Sequence, residues 1–371
     1  MTIIKVKTKQ DWQLFHRVPH LVYQGDVNWI APLESDIESI FDPQQNILLQ
    51  KGAAKCFVLT ESDRLCGRIA AFISDREPID GRILGGIGFF ECFDNPSHAS
   101  SLFAAAEQYL QSQGVTSIDA PINFGSRDRY WGLLIKGFEP PLFQENYHPP
   151  YYQQLFLQNN YQLQEQILTY GGNVAEMPFK RLRNIAQRLK QRQPIYVKKF
   201  DWKEQERFVR DFCIISQATF PHNPVSYEQV NQMLDRTKDI LDPNLMCIGY
   251  YQDRPAGYIV LYPNINPWLK SARGKLSFWN LPLFWLQKQL ALASAKGISI
   301  GIHPDYQERG IVALLIDFLC SQWNLRRYPQ IYLAGIATQN HQIRSIYEKL
   351  NLDIVRVHCT YRKDLNQRLA T

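Results

Sequence analysis

The sequence predicts a mixed α/β chain of two similar domains, each a mixed central sheet flanked by helices. Three observations carry this. A length of 371 residues exceeds one ordinary domain. A composition of 45% hydrophobic and 13% aromatic residues is ample for two cores and excludes disorder. One succession of hairpin, strand, helix and strand occurs twice along the chain.

The first domain is expected over residues 1–172. Residues 56–73, CFVLTESDRLCGRIAAFI, read as strand, polar turn, Gly and strand, which is a β-hairpin. A short apolar strand follows from Gly86 to Phe93. Asn95, Pro96 and Ser97 then open an Ala/Leu-rich helix from about His98 to Gln113, where Pro suits the first helical turn. Ser117 to Ile122 is the next strand candidate, and 123–132 is a polar, aromatic loop at its end. Arg127, Arg129, Tyr130 and Trp131 of that loop are candidate substrate contacts. Tyr151 to Tyr170 reads as a short helix, an Asn turn and an alternating strand.

A basic connector helix is expected over 173–194. From Phe179 to Lys199 the chain holds Lys180, Arg181, Arg183, Arg188, Lys190, Arg192, Lys198 and Lys199 with no acidic residue. Leu182, Ile185, Ala186 and Leu189 recur at helical spacing, so the helix is amphipathic with a cationic face. That face either is a solvated linker surface or steers an anion such as coenzyme A, a lipid headgroup or tRNA.

The second domain is expected over 195–371. Residues 247–262, CIGYYQDRPAGYIVLY, repeat the hairpin pattern. Ile298 to His303, a helix from about Gly310 to Leu325, and a strand from Gln330 to Ile336 repeat the elements that follow it. Ile346 to Tyr361 parallels Tyr151 to Tyr170. Between hairpin and strand lies an insertion, Asn264 to Lys296, that mixes Trp268, Leu269, Phe278, Trp279, Phe284 and Trp285 with Lys270, Arg273, Lys275 and Lys288. Burial against the neighbouring domain is the favoured reading; covering a long acyl chain or touching a membrane surface are the alternatives.

The segment that carries chemistry is ISIGIHPDYQERGIVALLIDF, Ile298 to Phe318. A strand runs through Ile302 and His303 into Gln307-Glu308-Arg309-Gly310-Ile311-Val312 and on into a helix. The unpaired N–H groups and positive dipole end of such a helix start form an anion site. This pattern resembles the GNAT superfamily of acyl-CoA-dependent N-acyltransferases, whose cofactor motif is Gln/Arg-x-x-Gly-x-Gly/Ala. Gln307 and Gly310 fill the first two defining positions, and Val312 stands where the family has Gly or Ala. Asn340 through Leu352, with its Tyr-Glu-Lys-Leu run, looks like a second family motif. The whole chain then resembles the tandem-GNAT architecture, in which the first copy is degenerate. That copy has Asp94-Asn95-Pro96 where the phosphate loop belongs, so it is expected not to bind cofactor.

The resemblance implies acetyl-CoA or another acyl-CoA as co-substrate, held by Ile302, His303, Gln307, Glu308, Arg309, Gly310, Ile311, Val312 and Asn340. It implies Tyr347 as general acid to the departing thiolate, direct attack by a small-molecule or peptide amine, and an oxyanion donor among the backbone N–H groups of Ile300 to Ile302. His303 is the nearest titratable group to serve as base, against a plain role in loop structure, and the base stays unassigned. Asn340 either bonds the pantetheine arm or caps the helix of Tyr347.

The remaining readings are exclusions. A formal charge of +6 and a pI of 8.8 fall short of a duplex-binding surface, so no DNA partner is expected. The 7 cysteines lack metal or redox spacing and are expected to be reduced. His16 and His20 are four apart, but Pro19 is expected to prevent a helix that presents both, with no third ligand near and hence no metal site. No secretory or transmembrane segment is read, so a cytoplasmic location is expected. The competing functions are a non-catalytic acyl-CoA or lipid-binding protein and an aminoacyl-tRNA-dependent transferase.

Overall fold

A computed structural model of the chain describes residues 1–125, 127, 129–221, 225–290, 294–320 and 326–365. Its first half contains β1 (Thr2–Lys5), α1 (Lys9–Val22), α2 (Glu34–Ile40), β2 (Ala53–Glu61), β3 (Arg64–Ile73), β4 (Leu84–Cys92), α3 (Pro96–Ser112), β5 (Ser117–Ala120), β6 (Leu133–Lys136), α4 (Tyr152–Gln158) and β7 (Gln162–Asn173). The second half contains α5 (Phe179–Arg192), β8 (Ile195–Lys199), α6 (Gln205–Thr219), α7 (Tyr227–Thr237), β9 (Met246–Tyr251), β10 (Arg254–Pro263), α8 (Asn266–Leu269) and α9 (Leu281–Leu290). It continues with β11 (Ser294–Ile302), α10 (Ile311–Leu319), β12 (Gln330–Ala337), α11 (His341–Lys349) and β13 (Asp353–Asp364). The end of the helix expected to reach Leu325 lies outside the described residues.

The halves are built with the same local devices. The hairpins β2–β3 and β9–β10 turn on Ser62-Asp63 and Gln252-Asp253, and all four residues have positive φ, as a turn matched to strand twist requires. Gly67 and Gly257 sit at corresponding places, and a side chain on either would strike the helix stacked above, at Leu102 of α3 or Ile311 of α10. The short helices α4 and α11 both end on an Asn in the left-handed region, Asn160 with φ 65° and Asn351 with φ 60°. Along β2 and β3 burial alternates by face. Phe57, Leu59, Ile69 and Ala71 pack under α3, whereas Cys56, Val58 and Ala70 pack under α1. Each half is therefore a sheet between two helical layers.

The sheet does not divide where the sequence does. Its order is β1-β2-β3-β4-β5-β13-β7-β12-β11-β10-β9-β8, with β6 also on β13. The last strand of the chain, β13, pairs antiparallel with β5, while β7 pairs with β12. Each half thus ends on the other half's closing strand, and the two strands pair with each other along Asp353 to Arg362. Cys359 and Tyr361 are buried in the first core, and Leu168 and Tyr170 in the second.

Two expectations about α1 are corrected. The helix runs straight through Pro19 and carries both His16 and His20. Proline removes the N–H that would bond the Phe15 carbonyl, and the buried Arg68 guanidinium supplies the missing donor, Nη1 to O at 3.1 Å. Two carboxylates also approach His16: Glu34 and Glu38 place ligand-capable atoms within 4.8 Å of its ring, and Glu38 bonds it at 3.0 Å. Another such group is Glu61, Cys66 and His98, whose His98 and Glu61 bond at 3.1 Å. The described cysteines are all free and buried.

The insertion divides between the two environments weighed for it. Trp268 and Leu269 are buried, with Asn266 Nδ2 donating to Pro141 O and Lys270 Nζ to Val27 O across the domain contact. Beyond Gly274, Leu276, Phe278, Trp279, Leu281, Leu283, Trp285 and Leu286 are exposed, Trp279 at 87%, while Phe284 is buried. Among the described residues, no helix is long and apolar enough to cross a membrane.

Strand exchange has a direct consequence: residues 1–172 expressed alone leave the β5 edge bare and the first core without Tyr361. They should aggregate or stay unfolded by circular dichroism, and co-expression with 173–371 should return soluble complex. A second outcome concerns acid. His148 is buried, its Nδ1 accepts from Leu134 N at 3.2 Å, and burial pushes its pKa down to about 3. The unfolded ring takes a proton near pH 6.5 where the native ring stays neutral. The stability it carries is complete above that pH and drains as pH falls towards 3. Melting temperature should be level above pH 7 and fall from 6.5 to 4, with a shallower slope in His148→Asn.

Candidate active site

The second domain's site begins with a bulge. β10 and β11 stay in register up to the Val260–Ser299 and Leu261–Gly297 pairs, which leave Ile298 as an extra residue. Such a residue raises local twist. β11 pairs with β12 in parallel from Ser294–Gln330 to Gly297–Leu333 and no further, so the strands splay at the bulge. Gly335 of β12, beyond the last β11–β12 pair, has φ 81°, and a side chain there would meet nothing within 4 Å.

At the mouth of the splay the chain turns from β11 into α10. Ile302 completes the strand opposite Gly257, and His303 Nδ1 accepts from Asp305 N at 3.3 Å, capping the turn Pro304–Tyr306. Gln307 N bonds back to Pro304 O at 3.3 Å, and Glu308 takes φ 68°. Arg309 lays its guanidinium over the Tyr251 ring at 5.7 Å. Gly310 starts the helix at φ 77° with no side-chain cap, so the first N–H groups of α10, including those of Ile311 and Val312, are left for a ligand. Ile311 is buried and Val312 half-buried in the core beneath.

The connector helix reaches this mouth. α5 packs against α10, with Leu189 close against Gly310, so the bare Cα makes room for this leucine. Arg183 and Lys190 flank Asp317 at 3.6 and 3.4 Å, and Arg183 Nη2 donates to Cys320 O, which sets α5 antiparallel to α10. The C-terminal end of α5, with Arg188 and Arg192, therefore lies at the uncapped helix start. Its cations raise the local potential for an anion.

Tyr347, on α11, is buried with its ring edge-on to Tyr170 at 5.5 Å. Burial raises its phenol pKa above the ordinary value, so the hydroxyl stays protonated. No hydrogen bond engages that hydroxyl among the described residues. Tyr170 is tied to Glu348 at 3.3 Å and to Arg344 at 3.2 Å, which fixes the ring against which Tyr347 rests. Asn340 accepts from Ile343 N at 3.2 Å and caps α11, which commits its oxygen. β11 itself carries no carboxylate.

The first domain has the same frame with its opening shut. β4 bulges at Phe89, φ 50°, and leaves β5 after the Gly86–Asp119 pair. Ile122 N then bonds Ile87 O at 2.8 Å and pins the would-be gap. The start of α3 is satisfied by Asn95, whose Oδ1 accepts from Ser97 N and His98 N, with Pro96 needing no acceptor. An anion finds no free donor of that kind there.

A second concavity lies between the first domain and the foot of the insertion. Trp29, Leu33, Phe89, Phe143 and Leu269 form its apolar walls, and Arg68, Glu91 and Tyr130 its polar floor. Glu91 accepts from Tyr23 at 2.7 Å and Tyr152 at 2.8 Å and faces Arg68 at 3.6 Å. Burial raises its pKa while Arg68 pulls it back. Of the four loop candidates, only Tyr130 lines this cleft among the described residues. Arg127 pairs with Glu165 and stacks on Trp131 at 5.7 Å, and the Arg129 carbonyl accepts from Asn123 at 3.0 Å. The sequence alone marks neither Arg68 nor Glu91 as a site residue. They stand opposite each other on neighbouring strands β3 and β4, and only that register reveals a buried charge pair inside hydrophobic runs.

No family model matches the chain. Bacterial ceramide synthase of Caulobacter vibrioides (strain NA1000 / CB15N) is 26% identical over 319 residues, covering 83% of this chain and 82% of its own. Protein YghO of Escherichia coli (strain K12) is 25% identical over 375 residues, covering 96% and 94%. Among solved structures, a tandem GNAT protein from the clavulanic acid biosynthesis pathway aligns over 98% of both chains with a TM-score of 0.57 at 9% identity. A GCN5-related N-acetyltransferase from Sphaerobacter thermophilus covers 98% of this chain and 95% of its own, with a TM-score of 0.54 at 12% identity. With these likenesses over almost the whole chain, the protein has a tandem GNAT-like fold.

Proposed function

We propose that the protein is an acyl-CoA-dependent N-acyltransferase whose chemistry lies in the second domain and whose acceptor is the amine of a long-chain lipid base. The observation that carries the reaction is the splay of β11 from β12 ending on the uncapped start of α10. Donors there suit the pyrophosphate of coenzyme A, and the splay admits the pantetheine arm between the strands. The amine nitrogen attacks the thioester carbonyl carbon, the C–S bond breaks, and the thiolate takes a proton from the Tyr347 hydroxyl; the proton that the amine releases passes through solvent and restores the Tyr347 phenol. With its pKa raised by burial, Tyr347 contributes through position more than through driving force. Strand N–H groups of Ile300 to Ile302 that face the splay are the donors for the tetrahedral oxygen.

The acceptor rests on a different support. A ceramide is the N-acyl amide of a long-chain amino alcohol, and the Caulobacter vibrioides relative is named for making one. The interdomain cleft, apolar on its walls and polar on its floor, has the character such an amphiphile requires.

Calorimetry with a CoA thioester should give binding that Val312→Ala tightens and Arg188→Glu/Arg192→Glu weakens. No heat at millimolar ligand would sink the proposal. Tyr347→Phe should lower kcat about 100-fold with little change in KM. Thiol release should depend on a long-chain amino alcohol and not on soluble amines or peptides. The reverse preference would remove the lipid acceptor while keeping the transferase, and binding without release on any amine would favour a non-catalytic acyl-CoA-binding protein.

A further inference from the structure

The tip of the insertion presents an apolar surface that nothing in the fold covers. Phe278 is 80% and Trp279 87% exposed, and Leu276, Leu283, Trp285 and Leu286 also point outward within the same short stretch. Scattered exposed apolar residues are ordinary, but a contiguous group of this kind marks a contact surface. Phe284 of α9 turns inward, onto Trp268 at 6.1 Å, so the buried foot holds the tip in place.

The charges around the tip select the partner. From Arg254 to Pro304 the chain contains no Asp or Glu, while Lys270, Arg273, Lys275 and Lys288 lie within the insertion. Arg273 and Lys275 are exposed beside the tip, Lys275 also meeting Glu34 of the first domain at 3.2 Å, and Lys288 sits over the Trp285 ring at 4.7 Å. Aromatic and leucine side chains standing out from a purely basic segment match an anionic bilayer surface. The rings enter the headgroup and upper acyl layer, and the cations meet lipid phosphates. A protein partner's acidic patch would account for the cations but leave the rings unpaired.

We infer that residues 276–286 are a membrane-docking element that seats the protein on anionic lipid. Its position gives the contact a use. The insertion leaves the sheet at the end of β10 and returns at the start of β11, the opposite end of that strand from the phosphate loop. Asn266 and Leu269, in its foot, line the interdomain cleft. An acceptor drawn from the bilayer enters from one end of β11 while coenzyme A is held at the other. This last step rests on the lipid-amine reading above; docking itself does not.

The test is co-sedimentation of the full chain with vesicles of phosphatidylcholine carrying about one third phosphatidylglycerol, with calorimetric CoA-thioester binding measured in parallel. The wild type should pellet with the mixed vesicles, less with pure phosphatidylcholine and less at high salt. Phe278→Ser/Trp279→Ser should cut the bound fraction at least 10-fold while leaving melting temperature and thioester binding unchanged, since both side chains lie outside the core. Arg273→Gln/Lys275→Gln should weaken binding to the mixed vesicles only. A wild type that stays in the supernatant, or a serine variant that pellets equally, would overturn the docking element without touching the transferase reading. A lipid-free dimer abolished by the same serine changes would overturn it too, assigning the patch to a second copy.

Discussion

The β7–β13 pairing is the constraint on which the rest of this protein depends. Each closing strand is long, and each completes the half-sheet to which it does not belong in sequence. Neither half can satisfy its sheet edge or its core without the other, because Tyr361 and Cys359 fill the first core and Tyr170 and Leu168 the second. A duplicated fold has thereby become one cooperative body. In the cleft between the halves, Arg356 Nη2 donates to Pro140 O and Lys296 Nζ to Phe143 O, which tie down the loop that lines it.

Given that frame, the difference between the halves comes down to a few atoms. Both have a bulged fourth strand that leaves its parallel neighbour, and both run from it into a helix. In one, a side-chain oxygen from Asn95 satisfies the helix start and a backbone bond to Ile122 shuts the gap. In the other, Gly310 brings no cap and the gap stays open. The basic connector helix is drawn to the open copy by Leu189 and by the charges around Asp317. Six of the chain's basic residues thus lie on the helix beside the uncapped start of α10.

A network of buried polar groups lies in the first domain beside the cleft. Arg68 serves three needs at once: it supplies the hydrogen bond that Pro19 denies to Phe15, stacks over the Phe15 ring at 4.5 Å, and faces Glu91 in the cleft. Removing one member of such a network strands the others in a low-dielectric interior, which is why it is a unit and not a set of separable contacts.

Much of this was legible in the residues. Hairpins, helices, the repeat and the strand–turn–helix motif depend on neighbours in the chain, through periodicity, Asn and Pro at helix ends, and turn residues with positive φ. Their positions followed from local rules. The closed first copy was foreshadowed by Asp94-Asn95-Pro96. Other features depend on partners far away in sequence. That β7 and β13 change places needs the packing of two finished halves, and that a helix tolerates Pro19 needs Arg68 from another element. Leu189 over Gly310 and Arg68 opposite Glu91 likewise arise from register and stacking. So does the division of one aromatic insertion into a buried foot and an exposed tip, since identical side chains are core or surface only by what lies above them. Local chemistry determined the elements and the strand–turn–helix motif; long-range packing decided which halves share strands, which gap stays open and which apolar face is left uncovered.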